Sequence, residues 1–182
     1  MVHLIKDLPS YADQDKKILN VVIEIPTGTS NKIEFDEEEG VFRLDRVLHH
    51  QMFYPFDYGF IPQTLEDDGD AVDVIMLTTY PTFPGCVIKA RVVGIIETSD
   101  EEGKDHKVIC VPISKIDPRR DHIQSVEDIN PHTREELLLH FKEIKKLEKA
   151  KYDKVTINGY KSIDYAYDLI NSSIVAFHNH NK

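Results

Sequence analysis

The stretch Glu66-Asp67-Asp68-Gly69-Asp70-Ala71-Val72-Asp73-Val74 constrains this chain more than any other. Asp68, Asp70 and Asp73 crowd around Gly69, and an apolar run, Val74-Ile75-Met76-Leu77, follows at once. That run reads as a strand, so Asp73 stands on a rigid element. Gly69 accepts a backbone conformation that other residues resist, which lets the flanking carboxylates converge. Like charges this close need an offset. A solvated acidic turn supplies it with water. A hard divalent cation such as Mg²⁺ supplies it with oxygen ligands at about 2.0–2.1 Å. Spacing alone leaves both open, but it excludes an EF-hand: with Gly69 at the sixth position, Thr64 and Ile75 fall where the first and last oxygen ligands belong.

The rest of the chain narrows the classes. Its 182 residues are enough for one domain, 1–182, with a sizeable core. A net charge of −10 argues against a nucleic-acid partner, which needs a basic stripe. It leaves room for an anionic substrate if metals and local Lys or Arg invert the field at the site. Met1-Val2-His3-Leu4 lacks the apolar core of a signal peptide, and no run approaches membrane-spanning length, so no membrane partner is expected. Cys86 and Cys110 sit in apolar runs without metal spacing and read as reduced core residues of a cytoplasmic protein.

Taken in order, residues 1–17 read as polar and irregular, and Ile18 to Ile25 as a strand stopped by Pro26. Lys32 to Asp36 alternates, with Ile33 and Phe35 on one face and Lys32 and Glu34 on the other. A solvated outer face explains the second pair without any function. Val41 to Leu48 is the next strand. Arg46 shares parity with Phe42 and Leu44, so it is expected to point inward and to need an anionic partner, in an ion pair or an anion site. The aromatic stretch Met52 to Pro62 reads as a rigid loop covering the core, with tyrosine hydroxyls to offer. Cys86 to Glu97 reads as a long strand or a bent pair of strands, with a bulge expected at Gly94. A second acidic loop, Ser99 to Lys107, precedes a strand at Val108 to Pro112, and a meander would bring both acidic loops to one end of a sheet or barrel. Thr133-Arg134-Glu135-Glu136 fits a capping box opening a helix with the stripe Leu137, Phe141, Ile144. Lys145, Lys146 and Lys149 fall in its last turns, where the helix dipole accounts for them. Tyr152 to Gly159 reads as a short strand. Ser162 caps a second amphipathic helix through Ile174, and the tail 178–182 is expected to fray.

Unaided, these residues point to a metal-dependent enzyme acting on a phosphate-rich substrate. From about Val21 to Tyr152 the chain also resembles the soluble inorganic pyrophosphatases of the OB-barrel type (family I), in their short prokaryotic form. The landmarks are Val22-Ile23-Glu24-Ile25-Pro26, Lys32-Ile33-Glu34, Asp45-Arg46, Phe53-Tyr54-Pro55, Tyr58-Gly59, the Asp68–Asp73 motif, and Asp100 through Lys107. The resemblance implies a mainly β fold with C-terminal helices (α+β), a five-stranded OB-like barrel flanked by α-helices, which accommodates the two C-terminal helices read from the residues. It implies Mg²⁺-dependent hydrolysis of pyrophosphate to two phosphates by metal-activated water, and a homohexamer. By the same resemblance Asp68, Asp73 and Asp105 match metal ligands, with Asp73 bridging two ions, and Asp100 serves a further, substrate-borne ion. Asp70 matches the proposed general base. Lys32, Arg46, Tyr58 and Lys145 match phosphate-binding groups, and Glu24, Glu34, Tyr54 and Lys107 match other residues of the pocket.

The implied chemistry agrees with the unaided reading: metals neutralise phosphoryl oxygens and acidify a water, a nearby carboxylate takes its proton, and cations stabilise the leaving phosphate. Two positions depart from the family pattern. Ala71 stands where proline is usual, which frees the loop, and Ile144 stands where tyrosine is usual. The rivals are a non-catalytic OB-type module for single-stranded nucleic acid, disfavoured by the charge, and another metal-dependent phosphohydrolase, which only a substrate panel separates.

Overall fold

The computed structural model describes residues 3–100 and 103–180. The strands are β1 (Tyr11–Asp13), β2 (Ile18–Ile25), β3 (Asn31–Asp36), β4 (Val41–Val47), β5 (Asp57–Phe60), β6 (Asp73–Met76), β7 (Val87–Ser99), β8 (Lys107–Pro112) and β9 (Thr156–Lys161). The helices are α1 (Pro131–Glu143), α2 (Lys149–Tyr152) and α3 (Ile163–His180). Strands pair in the order β2-β5-β6-β8-β7, and β7 returns to pair with β2, closing a five-stranded barrel. Within it β6 and β8 run parallel; the other neighbours are antiparallel. β1 and β9 extend the sheet, and β3 and β4 form a separate two-stranded ribbon. The expected mainly β barrel with helices is the observed architecture.

The barrel strands are apolar at nearly every position because both of their faces are covered. Val74, Met76, Val108 and Cys110 join Ala166, Tyr167 and Ile170 of α3 in one buried cluster. Their neighbours Ile75, Ile109 and Val111 join Leu137 and Phe141 of α1 in another. This explains why Val74-Ile75-Met76 runs on without alternation. β7, thirteen residues long, bends to pair with β2, β8 and β9, and its register slips between Val92 and Gly94, where the bulge was expected. Gly94 is also required by packing, since a Cβ there would stand 2.1 Å from Val126 Cγ2. Cys86 and Cys110 are free thiols.

Several elements differ from the sequence reading, each for a physical reason. Tyr11–Asp13 is a strand, drawn out of a polar segment by antiparallel pairing with β2. The aromatic stretch is no loop throughout: Asp57–Phe60 is a fully buried barrel strand between β2 and β6. Arg46 and Leu44 do not share a face. β4 pairs Arg46 with Lys32 and Leu44 with Ile33, so Asp45 is an extra residue that breaks the alternation. Leu44 is exposed and Arg46 half-buried. The first long helix is capped by Asn130, whose side chain accepts from His132 N–H, with Pro131 as its first residue, so Thr133 lies inside it. That helix ends at Glu143, so Lys145, Lys146 and Lys149 lie beyond it. Ser162 caps α3 as read, its Oγ accepting from Tyr165 N–H at 3.3 Å. α3 continues through His180; the remainder of the expected frayed tail, and residues 101–102 of the second acidic loop, lie outside the described residues.

The two acidic loops meet, though by a parallel ladder in place of a meander. Because β6 and β8 run side by side in one direction, the segments leading into both arrive at the same end of the barrel. Tight packing of β5 on β2 fixes that end. A Cβ at Gly59 would stand 1.8 Å from the backbone oxygen of Val22, which has no freedom to retreat. Gly59→Ala should therefore cost about 3 kcal/mol, the upper part of the usual overpacking range, in urea unfolding. A change below about 0.5 kcal/mol, the scale of ordinary surface substitutions, would show that the β2–β5 contact is not so restrictive.

Candidate active site

A cleft of about 440 Å³ opens where the acidic loops meet. It is lined by every residue singled out above: Glu24, Lys32, Glu34, Arg46, Tyr54, Tyr58, Asp68, Asp70, Asp73, Asp100, Asp105, Lys107 and Lys145. β2 contributes Glu24, the β3–β4 ribbon Lys32, Glu34 and Arg46, and β5 Tyr58. The loop into β6 brings Asp68 and Asp70, and the one into β8 brings Asp100 and Asp105. Tyr54 precedes β5, and Lys145 lies just past the end of α1.

Asp73 is the hub. Its Oδ2 accepts from the Tyr58 hydroxyl at 2.5 Å and from Lys107 Nζ at 2.5 Å. Burial pushes Asp73 up to about 6, with Lys107 opposing. Burial alone would also push Asp105 up, but the ammonium of Lys107, hydrogen-bonded to its Oδ1, outweighs that and holds it below the ordinary range. The same two carboxylates outweigh the burial of Lys107 and raise its pKa. Glu24 accepts from Phe35 N–H at 2.7 Å, yet burial lifts it to about 8, and neighbouring Asp73 and Glu34 add to that. Asp68 and Asp70 are raised, first by burial and then by neighbouring carboxylates. Burial likewise raises Tyr54 and Tyr58, keeping both hydroxyls protonated as donors.

Cations occupy the other walls. Lys32 is bonded to Glu34 and lies 4.0 Å from Asp45. Arg46 is bonded to Asp45 and lies 3.4 Å from Glu148. Lys145 Nζ is 2.6 Å from Asp100 Oδ2. Nine carboxylates and five cationic side chains line the cleft among the described residues. The surplus of negative charge and the raised carboxyl groups together describe a site built to receive cations. No three Asp, Glu, His or Cys side chains among the described residues stand around one point at ligating distance. Between Asp73 and Asp105 it is the Lys107 ammonium that fills the gap.

The inorganic pyrophosphatase family matches residues 21–178. The chain belongs to that family. It is an inorganic diphosphatase, and its reaction is hydrolysis of inorganic pyrophosphate. It is similar to the inorganic pyrophosphatase of Sulfolobus acidocaldarius, at 45% identity over 157 residues, 86% of this chain and 90% of the relative. It is 40% identical over 173 residues to that of Thermus thermophilus, covering 95% and 97% of the two chains. The crystal structure of the Thermus thermophilus inorganic pyrophosphatase superimposes with a TM-score of 0.89 over 97% of this chain and 99% of that one. The family uses divalent metal. No helix among the described residues is long and apolar enough to cross a membrane.

Of the two departures from the family pattern, Ala71 packs half-buried against the small core of Ile5, Phe35 and Phe60 and also lines the cleft. Ile144 likewise does two things: it packs against the cluster of Leu137 and Phe141 and lines the cleft. The anionic partner expected for Arg46 is supplied by Asp45 and Glu148, neither of which was assigned that role from the sequence. Sequence reasoning also missed Thr98, whose hydroxyl donates to the Asp105 carbonyl, and the buried pair Glu66 and His106. Glu66 Oε1 lies 3.8 Å from His106 Nδ1, too far for a hydrogen bond, and burial lifts Glu66 to about 9. Neither carried a signal, since Glu66 is one carboxylate in an acidic run and His106 an isolated histidine.

Behind the tyrosine wall, His140 is buried among Tyr54, Phe56 and Phe141, its ring 5.0, 5.1 and 5.2 Å from theirs. Burial pushes it down to about 4. The unfolded chain then binds more protons than the folded one between about pH 4 and the ordinary histidine value near 6.5, so stability falls as pH falls through that window. On going from pH 7 to pH 5, His140→Phe should lose about 2 kcal/mol less in urea unfolding than the parent loses. Parallel losses in the two proteins would mean that His140 titrates freely.

Proposed function

We propose that the cleft hydrolyses pyrophosphate with Mg²⁺ held by Asp68, Asp73 and Asp105, with Asp100 serving an ion that arrives with the substrate. The observation that carries this reading is the excess of carboxylates over cations around one cleft, which Lys32, Arg46, Tyr58 and Lys145 also line. The donor set fits the metal: it is all hard oxygen, with no sulfur and no imidazole among the proposed ligands. When bound, such ions neutralise phosphoryl oxygens and lower the pKa of water toward about 7.

The chain's own residues do the rest. Asp70 is exposed toward the cleft and more basic than a free aspartate, which suits it to accept the proton of the attacking water. Lys32 and Arg46 face each other across the ribbon, where they would hold one phosphate; the guanidinium offers a planar fork and the ammonium a point charge. Lys145, oriented by Asp100, would stabilise charge on the leaving phosphate. Tyr58 and Tyr54 supply neutral donors from rigid rings, while Glu24, Glu34 and Lys107 complete the charge pattern of the pocket. The same reading makes the chain one domain, 1–182, working in the cytoplasm. We extend it to a homohexamer, in keeping with the large apolar side chains on the surface, Leu44, Phe53, Tyr80 and Phe83 among them; sedimentation decides that point.

Asp68→Asn, Asp73→Asn and Asp105→Asn should each shift the Mg²⁺ activation curve to higher concentration, Asp73→Asn furthest. Unchanged curves for all three would remove the metal assignment. Asp70→Asn should lower kcat by ~10²–10⁴ while metal binding, measured by calorimetry, is kept. Lost binding with a normal rate at saturation would make Asp70 a ligand and not a base.

Ile144→Tyr should restore a hydroxyl donor beside Lys145. Hydrogen bonds to charged groups contribute ~1.5–3 kcal/mol, so KM for pyrophosphate should fall by about tenfold with little loss of stability, whereas Lys145→Ala should raise it. An unchanged KM together with a lower melting temperature would assign Ile144 to the core alone.

A further inference from the structure

Lys107 opens β8, and the parallel register sets it directly opposite Asp73. Its side chain is 5% exposed. Nζ lies 2.5 Å from Asp73 Oδ2 and is hydrogen-bonded to Asp105 Oδ1. The rings of Tyr58 and Phe141, 6.0 Å apart, lie together near the ammonium, their centroids 6.0 and 5.9 Å from Nζ. The ammonium therefore takes up oxygens of two of the three proposed metal ligands. A divalent ion and an ammonium repel each other strongly at such separations, so one must leave as the other arrives. Lysine is suited to leave: its stem is flexible and its charge compact, and the adjoining cleft has room for it.

We propose that Lys107 is an internal counter-cation of the metal site, holding Asp73 and Asp105 together in the metal-free enzyme and surrendering their oxygens when the ion enters. This rests on the metal site proposed above. The displaced ammonium then faces the substrate side of the cleft, so metal entry also delivers a phosphate-facing charge. Metal affinity is set partly by what it costs to expel the lysine. A lysine that merely ties β6 to β8 would stay in place and leave metal affinity alone.

Mn²⁺ serves as the probe, its free concentration read from its paramagnetic resonance signal. Lys107→Met keeps the stem and removes the charge, and it should bind the first Mn²⁺ about tenfold tighter than the parent, a difference of about 1.4 kcal/mol. Unchanged or weaker binding overturns the proposal. Asp73→Asn is measured beside it: if the parent binds no Mn²⁺, or Asp73→Asn binds it as well as the parent does, the metal-site reading falls and takes this one with it. If the parent binds Mn²⁺, Asp73→Asn does not, and Lys107→Met gains nothing, only the counter-cation is wrong. Should Lys107→Met not fold, the parent itself answers. Reaction of Lys107 with an amine-selective label, followed by mass spectrometry, should speed up several-fold on adding Mn²⁺. An unchanged rate overturns the proposal.

Discussion

The parallel ladder between β6 and β8 is the constraint on which the rest of this molecule depends. Antiparallel strands would have sent the two acidic loops to opposite ends of the barrel. A parallel pair needs a crossover, and β7 provides it, long enough to travel round the barrel and close it against β2. One connection thus seals the barrel, removes its exposed edges and gathers Asp68, Asp70, Asp73 and Asp105 into one cleft. The register does the fine work, setting Asp73 against Lys107.

Concentrating carboxylates this way opposes folding before it serves chemistry. Burial and mutual repulsion raise Glu24, Glu66, Asp68, Asp70 and Asp73, so each is held in a state that disfavours its charge. The barrel beneath supplies the rigidity to hold them there, with its strands covered on both faces and α1 and α3 on opposite flanks. Lys107 and Tyr58, converging on Asp73, relieve part of the strain with one charge and one hydroxyl. Positive charge brought among such carboxylates eases their repulsion, which suits an enzyme whose substrate is itself highly charged.

Much of the barrel could be read from the residues, and what could not shares a common cause. Ile18–Ile25, Cys86–Glu97 with its bulge, and Val108–Pro112 announce themselves because buried strands are continuous apolar runs. Asp57–Phe60 does not, because its prolines and aromatics imitate a loop and only its partners β2 and β6 make it a strand. Arg46 reached the cleft, but the parity argument for it failed at Asp45, since a bulge belongs to a pairing and not to one strand. The cleft residues were assembled by resemblance; periodicity alone gave the acidic loop and little more. Lys107 against Asp73, and Glu66 against His106, arise from pairings about thirty to forty residues apart, which no local pattern encodes.

The β3–β4 ribbon is not part of the barrel sheet. Lys32 and Arg46 therefore stand on one sheet and Asp73 on another, with the cleft between them. No ladder of backbone bonds fixes that gap; a tie across it is the Glu24 carboxylate, accepting from Phe35 N–H. Phe35 and Phe42 of the ribbon also pack with Val22 and Phe60 of the barrel. Side-chain packing, and not a backbone ladder, therefore sets the distance between the cations of the ribbon and the carboxylates of the barrel.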